Sequence, residues 1–94
     1  MKMATTIEIP ITARARTYGY IIWSRKQTVD MELFVGKNVT IDIETSDGLT
    51  KTKRVDRKQK RISLGYKFTR ALEKRHTVFI LTRLKPGRIS LSTR

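Results

Sequence analysis

Residues 19–43 read GYIIWSRKQTVDMELFVGKNVTIDI, and this stretch decides the expected fold. The segment Tyr20 to Trp23 places two isoleucines between aromatic residues and predicts a short strand. Ser24, with Gln27 three residues later, has the spacing of a capping box and predicts a helix of about ten residues. Gly36 is the expected end of that helix, because glycine adopts the left-handed conformation that terminates many helices. The last residues of the stretch alternate between apolar and polar, as in a half-buried strand.

The segments on either side have mostly strand patterns. Asp47-Gly48 favours a hairpin turn of type I′, which requires positive φ, and Pro86-Gly87 fits the centre of a type II turn. The other expected elements are an alternating strand over residues 6–16, a strand over 39–43, a polar strand from Thr50 to Val55, a strand from Arg61 to Leu64, a helix from Tyr66 to Arg75, a strand from Thr77 to Leu84 and a strand from Arg88 to Ser92. This order predicts an α+β protein that is mainly β.

The order of elements repeats within the chain. A shift of 41 residues places Ile21 on Ile62, Trp23 on Leu64, Thr28 on Thr69, Met31 on Leu72 and Glu32 on Glu73. After a two-residue deletion, Val39 falls on Val78 and Ile41 on Ile80. We therefore expect residues 1–94 to form a single domain, in which repeat one (about 5–49) and repeat two (about 50–94) share one core. The polar strand from Thr50 to Val55 then serves both repeats.

Both repeats resemble a known family. Residues 19–43, and more closely residues 54–91 (RVDRKQKRISLGYKFTRALEKRHTVFILTRLKPGRISL), resemble the AbrB/MazE/SpoVT-like swapped-hairpin domains. The family's helix-opening proline is absent, and Ser24 and Gly65 stand in its place; both residue types suit a helix N-cap. The resemblance implies a swapped-hairpin barrel of two ββαββ-like repeats, each with one short helix. It also implies DNA binding by a basic hairpin, commonly in transcription regulation.

The positive charge is confined to one half of the chain. The net charge is +13, and residues 1–47 hold six basic and six acidic residues, for a net of zero. Residues 48–94 hold the other fifteen basic residues against two acidic ones, and therefore carry the whole excess. Charge concentrated in this way indicates a polyanionic partner rather than general solubility.

The densest run is KTKRVDRKQKR at 51–61, with seven basic residues of eleven. Lysine and arginine on a hairpin neutralise backbone phosphates, and a two-stranded ribbon fits the major groove. The predicted nucleic-acid-binding residues are Lys51, Lys53, Arg54, Arg57, Lys58, Lys60 and Arg61, together with Lys67, Arg14, Arg16, Arg25 and Lys26. The alternative for the run is a solvated hairpin that serves solubility alone.

The clustered aromatic residues allow two interpretations. Tyr18, Tyr20 and Trp23 are close enough in sequence to form a base-stacking platform. Tyr20 and Trp23 also flank two isoleucines in a short strand, and we favour a role in the core for them. The same interpretation is favoured for Tyr66.

Catalytic and metal-binding patterns are missing from the sequence. The chain has one histidine, His76, and no cysteine, and its five glycines are scattered rather than arranged as a phosphate loop. Asp42, Glu44 and Asp47 could share one face and hold Mg²⁺, but a polar strand face with a turn aspartate is the favoured interpretation. We therefore expect no enzyme, no cofactor and no metal.

The absence of cysteine and of a long apolar run predicts a cytoplasmic protein without a membrane partner, nucleoid-associated if prokaryotic. The favoured function is DNA binding by a small transcriptional regulator or chromatin-associated protein, with DNA preferred to RNA. The alternatives are an RNA-binding or ribosome-associated basic protein and an antitoxin-type protein-interaction module. Two copies of the motif in one chain imply a single-chain pseudo-dimer; self-association is the other possibility.

Overall fold

The computed structural model describes residues 6–72 and 74–94. These residues form a small α+β fold, mainly β, as expected. Its elements are β1 (Thr6–Pro10), α1 (Ala13–Tyr18), β2 (Tyr20–Ile22), a 3₁₀ turn (Arg25–Gln27), α2 (Thr28–Val35), β3 (Thr40–Thr45), β4 (Thr50–Asp56), β5 (Arg61–Ser63), α3 (Tyr66–Arg70), β6 (Val78–Lys85) and β7 (Arg88–Thr93). None of the helices in the described ranges has the length and apolar character needed to cross a bilayer.

The strands form one sheet that curves into a nearly closed, barrel-like shape. The strand order is β1-β6-β7-β3-β4-β5-β2, and every neighbouring pair is antiparallel except β3 and β7. The strands β1 and β2 lie at the two ends of the sheet. The Gln27 side chain helps to bring these ends together, because its Nε2 donates to the Glu8 carbonyl of β1 at 2.8 Å. The capping box is present as predicted, with the Ser24 N–H donating to Gln27 Oε1 at 3.1 Å.

The core is one apolar cluster drawn from both halves of the chain. Alternate residues of the long strands point inward, and α2 covers them with one face. The buried members include Ile7, Ile9, Ile21, Trp23, Met31, Phe34, Val35, Ile41, Ile43, Val55, Ile62, Leu64, Phe79, Leu81, Ile89 and Leu91. Each such side chain contributes about 1.5–3 kcal/mol by leaving water, so the two halves stabilise each other through a shared core.

The predicted strand over residues 6–16 is wrong beyond Pro10. The chain turns there into α1, which the Thr12 hydroxyl caps by accepting the Ala15 N–H at 3.1 Å. Alanine and arginine are strong helix formers, and Ala15 is buried against α3 whereas Ala13 is exposed. The first half therefore has two helices rather than the one expected. The helix predicted from Tyr66 to Arg75 is also shorter, ending at Arg70.

The hairpin at Asp47-Gly48 is confirmed, but its predicted turn type is wrong. Strands β3 and β4 pair antiparallel on either side of it. Among the described residues, only Lys60 and glycines have positive φ, so Asp47 does not meet the type I′ requirement. Gly48 alone is left-handed, with φ 85°, and its N–H donates to the Thr45 carbonyl at 2.9 Å. This is the geometry of a turn followed by one left-handed residue, the alternative hairpin connection.

Strands β2 and β5 meet in a symmetric way. Ile21 pairs directly with Ile62, 41 residues later. On one side the Trp23 N–H donates to the Lys60 carbonyl at 3.0 Å, and on the other the Leu64 N–H donates to the Gly19 carbonyl at 2.7 Å. These two bonds are related by the same shift of 41. Gly19 and Lys60, the two acceptors, both have positive φ, at 77° and 53°.

The sequence alignment of the halves fails after the helices. Ile41 is 1% exposed, whereas Ile80, the residue aligned with it, is half-buried. The inward residues of β6 are its neighbours Phe79 and Leu81, both fully buried. Strand side chains alternate between the two faces of a sheet. The alignment with a two-residue deletion is therefore wrong by one residue, because it matches an inward residue of β3 with an outward residue of β6.

Candidate nucleic-acid interface

The basic run at 51–61 does not form one face. In an antiparallel pair, directly opposed residues point to the same side of the sheet. Lys51 and Lys53 lie opposite Ile43 and Ile41, so they project on the inner side of the sheet, at its open end beside α3. Arg54 lies on the outer side of β4. The strand pairing thus divides a continuous sequence signal between two surfaces.

Four of the predicted cations line one cleft on the outer side, which we call the basic cleft. Its volume is about 560 Å³, and it is formed by β2, β4, β5 and the turn between β4 and β5. The lining residues are Tyr20, Arg54, Val55, Asp56, Arg57, Lys58, Arg61 and Ser63. Asp56 is the single acid among them, so the lining has a net charge of +3.

Two of these arginines are held in place. Arg57 donates from Nη2 to the Gly36 carbonyl at 2.5 Å, and its Nε lies 3.4 Å from Glu32 Oε1. The Arg61 guanidinium lies over the Tyr20 ring, 4.4 Å from its centroid, and its Nε is 3.9 Å from an Asp56 carboxylate oxygen. These contacts reduce the conformational entropy that the two side chains would lose when a ligand binds.

Arg54 and Lys58 are exposed. Within residues 6–72 and 74–94, neither forms an ion pair. Lys60, the residue before β5, has a left-handed backbone conformation, and its carbonyl accepts the Trp23 N–H. The free cations of the cleft are therefore Arg54 and Lys58, beside the two arginines that are held.

A second, smaller cleft lies between α1 and α3, and we call it the helix cleft. It has a volume of about 330 Å³ and is lined by Arg16, Thr17, Thr69, Arg70, Leu72 and Lys74. The buried Thr69 hydroxyl donates to the Arg16 carbonyl at 2.8 Å and joins the two helices. Arg16 donates from Nη2 to the His76 carbonyl, and the Arg70 guanidinium lies 5.1 Å from the Tyr66 ring centroid.

Sequence reasoning missed Arg70 and Lys74. Both fall in the half of the chain that carries the charge excess, and that excess is the only sequence signal that could have identified them. Their joining with Arg16 depends on the packing of α1 against α3. The sequence pattern does not predict that contact, because it predicts a strand where α1 lies.

The remaining predicted residues are scattered. Lys67 is exposed on α3, where it lines a shallow depression together with Lys51. Arg14 is exposed on α1, and Arg25 and Lys26 are exposed on the 3₁₀ turn. Arg14, Arg25 and Lys26 line neither of the two clefts.

The aromatic residues divide between core and surface. Trp23 is 4% exposed, so its predicted place in the core is confirmed. The core interpretation is wrong for Tyr20, which is only half-buried, because alternation along β2 turns Ile21 and Trp23 inward and Tyr20 outward. Tyr18 is 61% exposed and Tyr66 is 50% exposed, so the core interpretation is wrong for Tyr66. The Tyr18 and Tyr20 rings stack with their centroids 6.3 Å apart and an interplanar angle of 28°.

The acidic residues of the β3–β4 hairpin have local partners. Asp42 accepts the Thr52 hydroxyl at 2.7 Å, and Glu44 lies 3.5 Å from Arg88 Nη2. Hydrogen bonds from the Thr45 hydroxyl and the Leu49 N–H hold the pKa of Asp47 below its ordinary value of 3.8. In the described part of the chain, no group of three or more His, Cys, Asp or Glu side chains is placed to bind a metal ion.

Comparisons with protein-family models, with curated proteins and with solved structures found no match to this chain. The two clefts, their charges and the tyrosine pair are therefore the basis for a functional assignment.

Proposed function

We propose that this protein binds nucleic acid, and DNA in particular, through the basic cleft. The observation that carries the proposal is the convergence of Arg54, Arg57, Lys58 and Arg61 on one cleft that contains a single acid. Cations gathered in this way neutralise several neighbouring phosphates and release their counterions, which drives association with a polyanion. Binding rather than catalysis is the role that such a surface supports.

The hairpin β4–β5 supports DNA as the partner. It presents its cations on two neighbouring strands of the sheet and the turn that joins them, and strands of a β-sheet contact DNA grooves in several classes of DNA-binding protein. An arginine that is already held, as Arg61 is over the Tyr20 ring, is positioned to donate to phosphate or guanine. A small transcriptional regulator or chromatin-associated protein, in the cytoplasm or on the nucleoid, is the class that we propose.

We also propose that the fold is a duplicated swapped-hairpin barrel of the AbrB-like type. Two features support this proposal. The bonds from Trp23 to Lys60 and from Leu64 to Gly19 are related by the repeat shift, as expected about an internal two-fold axis. The first strand of repeat one, β1, pairs with β6 of repeat two, so a strand is exchanged between the halves. One chain would then supply the two copies that a dimer supplies elsewhere.

Two matched triple variants test the function. The first replaces Arg54, Lys58 and Arg61 of the cleft by glutamine, and the second replaces Arg14, Arg25 and Lys26. Both remove three positive charges, but only the first removes them from the cleft. At about 1 kcal/mol or more per lost charge-assisted contact, the cleft variant should bind a duplex about a hundredfold more weakly. The control variant should lose less than tenfold.

Salt titrations of both variants give a second measurement. The slope of log K against log salt should become shallower by about 2.7 for the cleft variant, at about 0.9 per lost phosphate contact. Thermal melts establish that both variants are folded. Equal losses in the two variants would show that overall charge rather than the cleft governs binding, and unchanged affinity in the cleft variant would exclude the cleft as the interface.

A further inference from the structure

The stacked tyrosine pair lies on the chain segment that connects the two basic surfaces. Tyr20 lines the basic cleft, and Arg16 and Thr17 line the helix cleft. Tyr18 is on the chain segment that joins them. Arg16 and Tyr20 are four positions apart in the chain, so their Cα atoms lie at most about 14 Å apart. A short length of nucleic-acid strand spans such a distance.

The backbone around Gly19 is held in place, and with it the chain segment that bears both tyrosines. Tyr20 is held in β2 opposite Ser63 of β5. The backbone of Gly19 packs so closely on Gly65 that a Cβ at position 19 would meet the Gly65 carbonyl carbon at 2.2 Å. The α1–β2 connection that bears the two tyrosines is therefore clamped against the start of α3.

The exposure of Tyr18 is not explained by the fold. Its ring is 61% exposed, and its stacking partner Tyr20 is itself only half-buried. The Arg61 guanidinium adds a cation over the Tyr20 ring. An exposed aromatic ring on a segment whose neighbouring residues line two basic clefts has the composition of the platforms on which single-stranded nucleic acids stack their bases.

We propose that Tyr18 stacks on an unpaired base of a bound strand whose phosphates lie in the basic cleft and the helix cleft. The inference rests on the proposed nucleic-acid binding and names the form of the ligand. An unpaired base offers its π-face to the ring, whereas a base within a duplex is covered on both faces by its neighbours. Arg16, Arg70 and Lys74 then hold the strand on one side of the stacked base, and Arg54, Lys58 and Arg61 hold it on the other.

The test measures the affinity of three labelled probes by fluorescence anisotropy. They are a short oligothymidine strand, a strand of equal length with abasic nucleotides at its centre, and a blunt duplex. Tyr18→Ala should weaken binding to the thymidine strand by about fivefold to a hundredfold, the usual effect of losing one stacked base. It should leave the abasic strand and the duplex unchanged. Tyr18→Phe should retain the affinity of the wild type, because it keeps the ring.

Leu84→Ala is the matched control, because Leu84 is an exposed apolar residue (49%) in β6, outside both clefts. It should change none of the three affinities. An oligouridine probe that shows the same dependence on Tyr18 and binds more tightly than oligothymidine supports the stacking site and assigns the strand to RNA. No loss in Tyr18→Ala, or an equal loss on all three probes, would overturn the inference. In either case the wild type would still bind the duplex if the proposed function is correct. Failure of the wild type to bind any of the probes would contradict the proposed function itself.

Discussion

The paired strands β2 and β5 have the same local geometry and opposite surface chemistry. Around the Ile21–Ile62 pair, each strand follows a left-handed residue and leads into a buried apolar residue, whose N–H donates to the carbonyl of the left-handed residue before the other strand. The outer surface of β2 presents Tyr20, with Tyr18 stacked on it. The β5 side presents Arg61, with Lys58 in the turn before it.

From this difference we infer separate tasks for the two halves in the proposed binding. Affinity for a polyanion scales with the number of phosphates neutralised, and fifteen of the basic residues lie in residues 48–94. The first half has no net charge, but it supplies the exposed ring. We infer that the second half provides most of the binding free energy and that the first half orients the strand. In this proposal the two halves contribute unequally to the interface.

The largest expected effect lies at the equivalent core positions. Trp23→Ala should lower the free energy of unfolding by about 3–5 kcal/mol, and Leu64→Ala should lower it by about 2–5 kcal/mol, because both leave cavities in the shared core. Urea titration measures both values. Affinity for nucleic acid should fall only as far as the variants unfold. A Trp23→Ala protein with unchanged stability and lost binding would show that Trp23 contacts the ligand.

The two left-handed positions should respond unequally to alanine. Gly19→Ala should cost about 2–5 kcal/mol, the sum of about 1–2 kcal/mol for a left-handed alanine and about 1–3 kcal/mol for overlap with Gly65. Lys60→Ala should change stability by no more than about 0.5 kcal/mol, because one L-residue replaces another at an unchanged φ. Gly48→Ala is the control for φ alone, since no atom lies within 4 Å of the added Cβ. Similar costs at Gly19 and Gly48 would contradict the close packing at Gly65.

The smallest expected effect of a glycine or core substitution is a gain in stability. Lys60 has φ 53°, where a residue with a Cβ is strained by about 1–2 kcal/mol. Lys60→Gly should therefore raise the free energy of unfolding by up to about 1 kcal/mol, after the entropic cost of glycine is subtracted. Thermal unfolding at fixed salt measures it. A destabilised variant would mean that the Lys60 side chain makes a contact that outweighs the strain.

The sequence predicted the fold best where apolar residues alternate along strands that face the core. Ile41 and Ile43 are buried in β3 as expected. The pattern failed at Ala13 and Ala15, since alternation of small residues with arginine suits a strand and a helix equally and only the Thr12 cap distinguishes them. The same misreading hid the contact between α1 and α3.

The sequence predicted the composition of the candidate site but not the arrangement of its residues on the surface. Four cations of the run between Lys51 and Arg61 line the basic cleft, but strand pairing places Lys51 and Lys53 on the other side of the sheet. The register that decides this depends on the partner strand, which a local pattern does not contain. The exposure of Tyr66 likewise depends on where a short helix packs.

The central claim is that a localised set of cations neutralises the phosphates of a nucleic acid. The most direct measurement is the salt dependence of wild-type binding to a DNA duplex. With about four to eight phosphates neutralised, log K should fall with log salt at a slope of about −4 to −7. A slope near zero would contradict the account, because binding that is insensitive to salt does not come from contacts between these cations and phosphates.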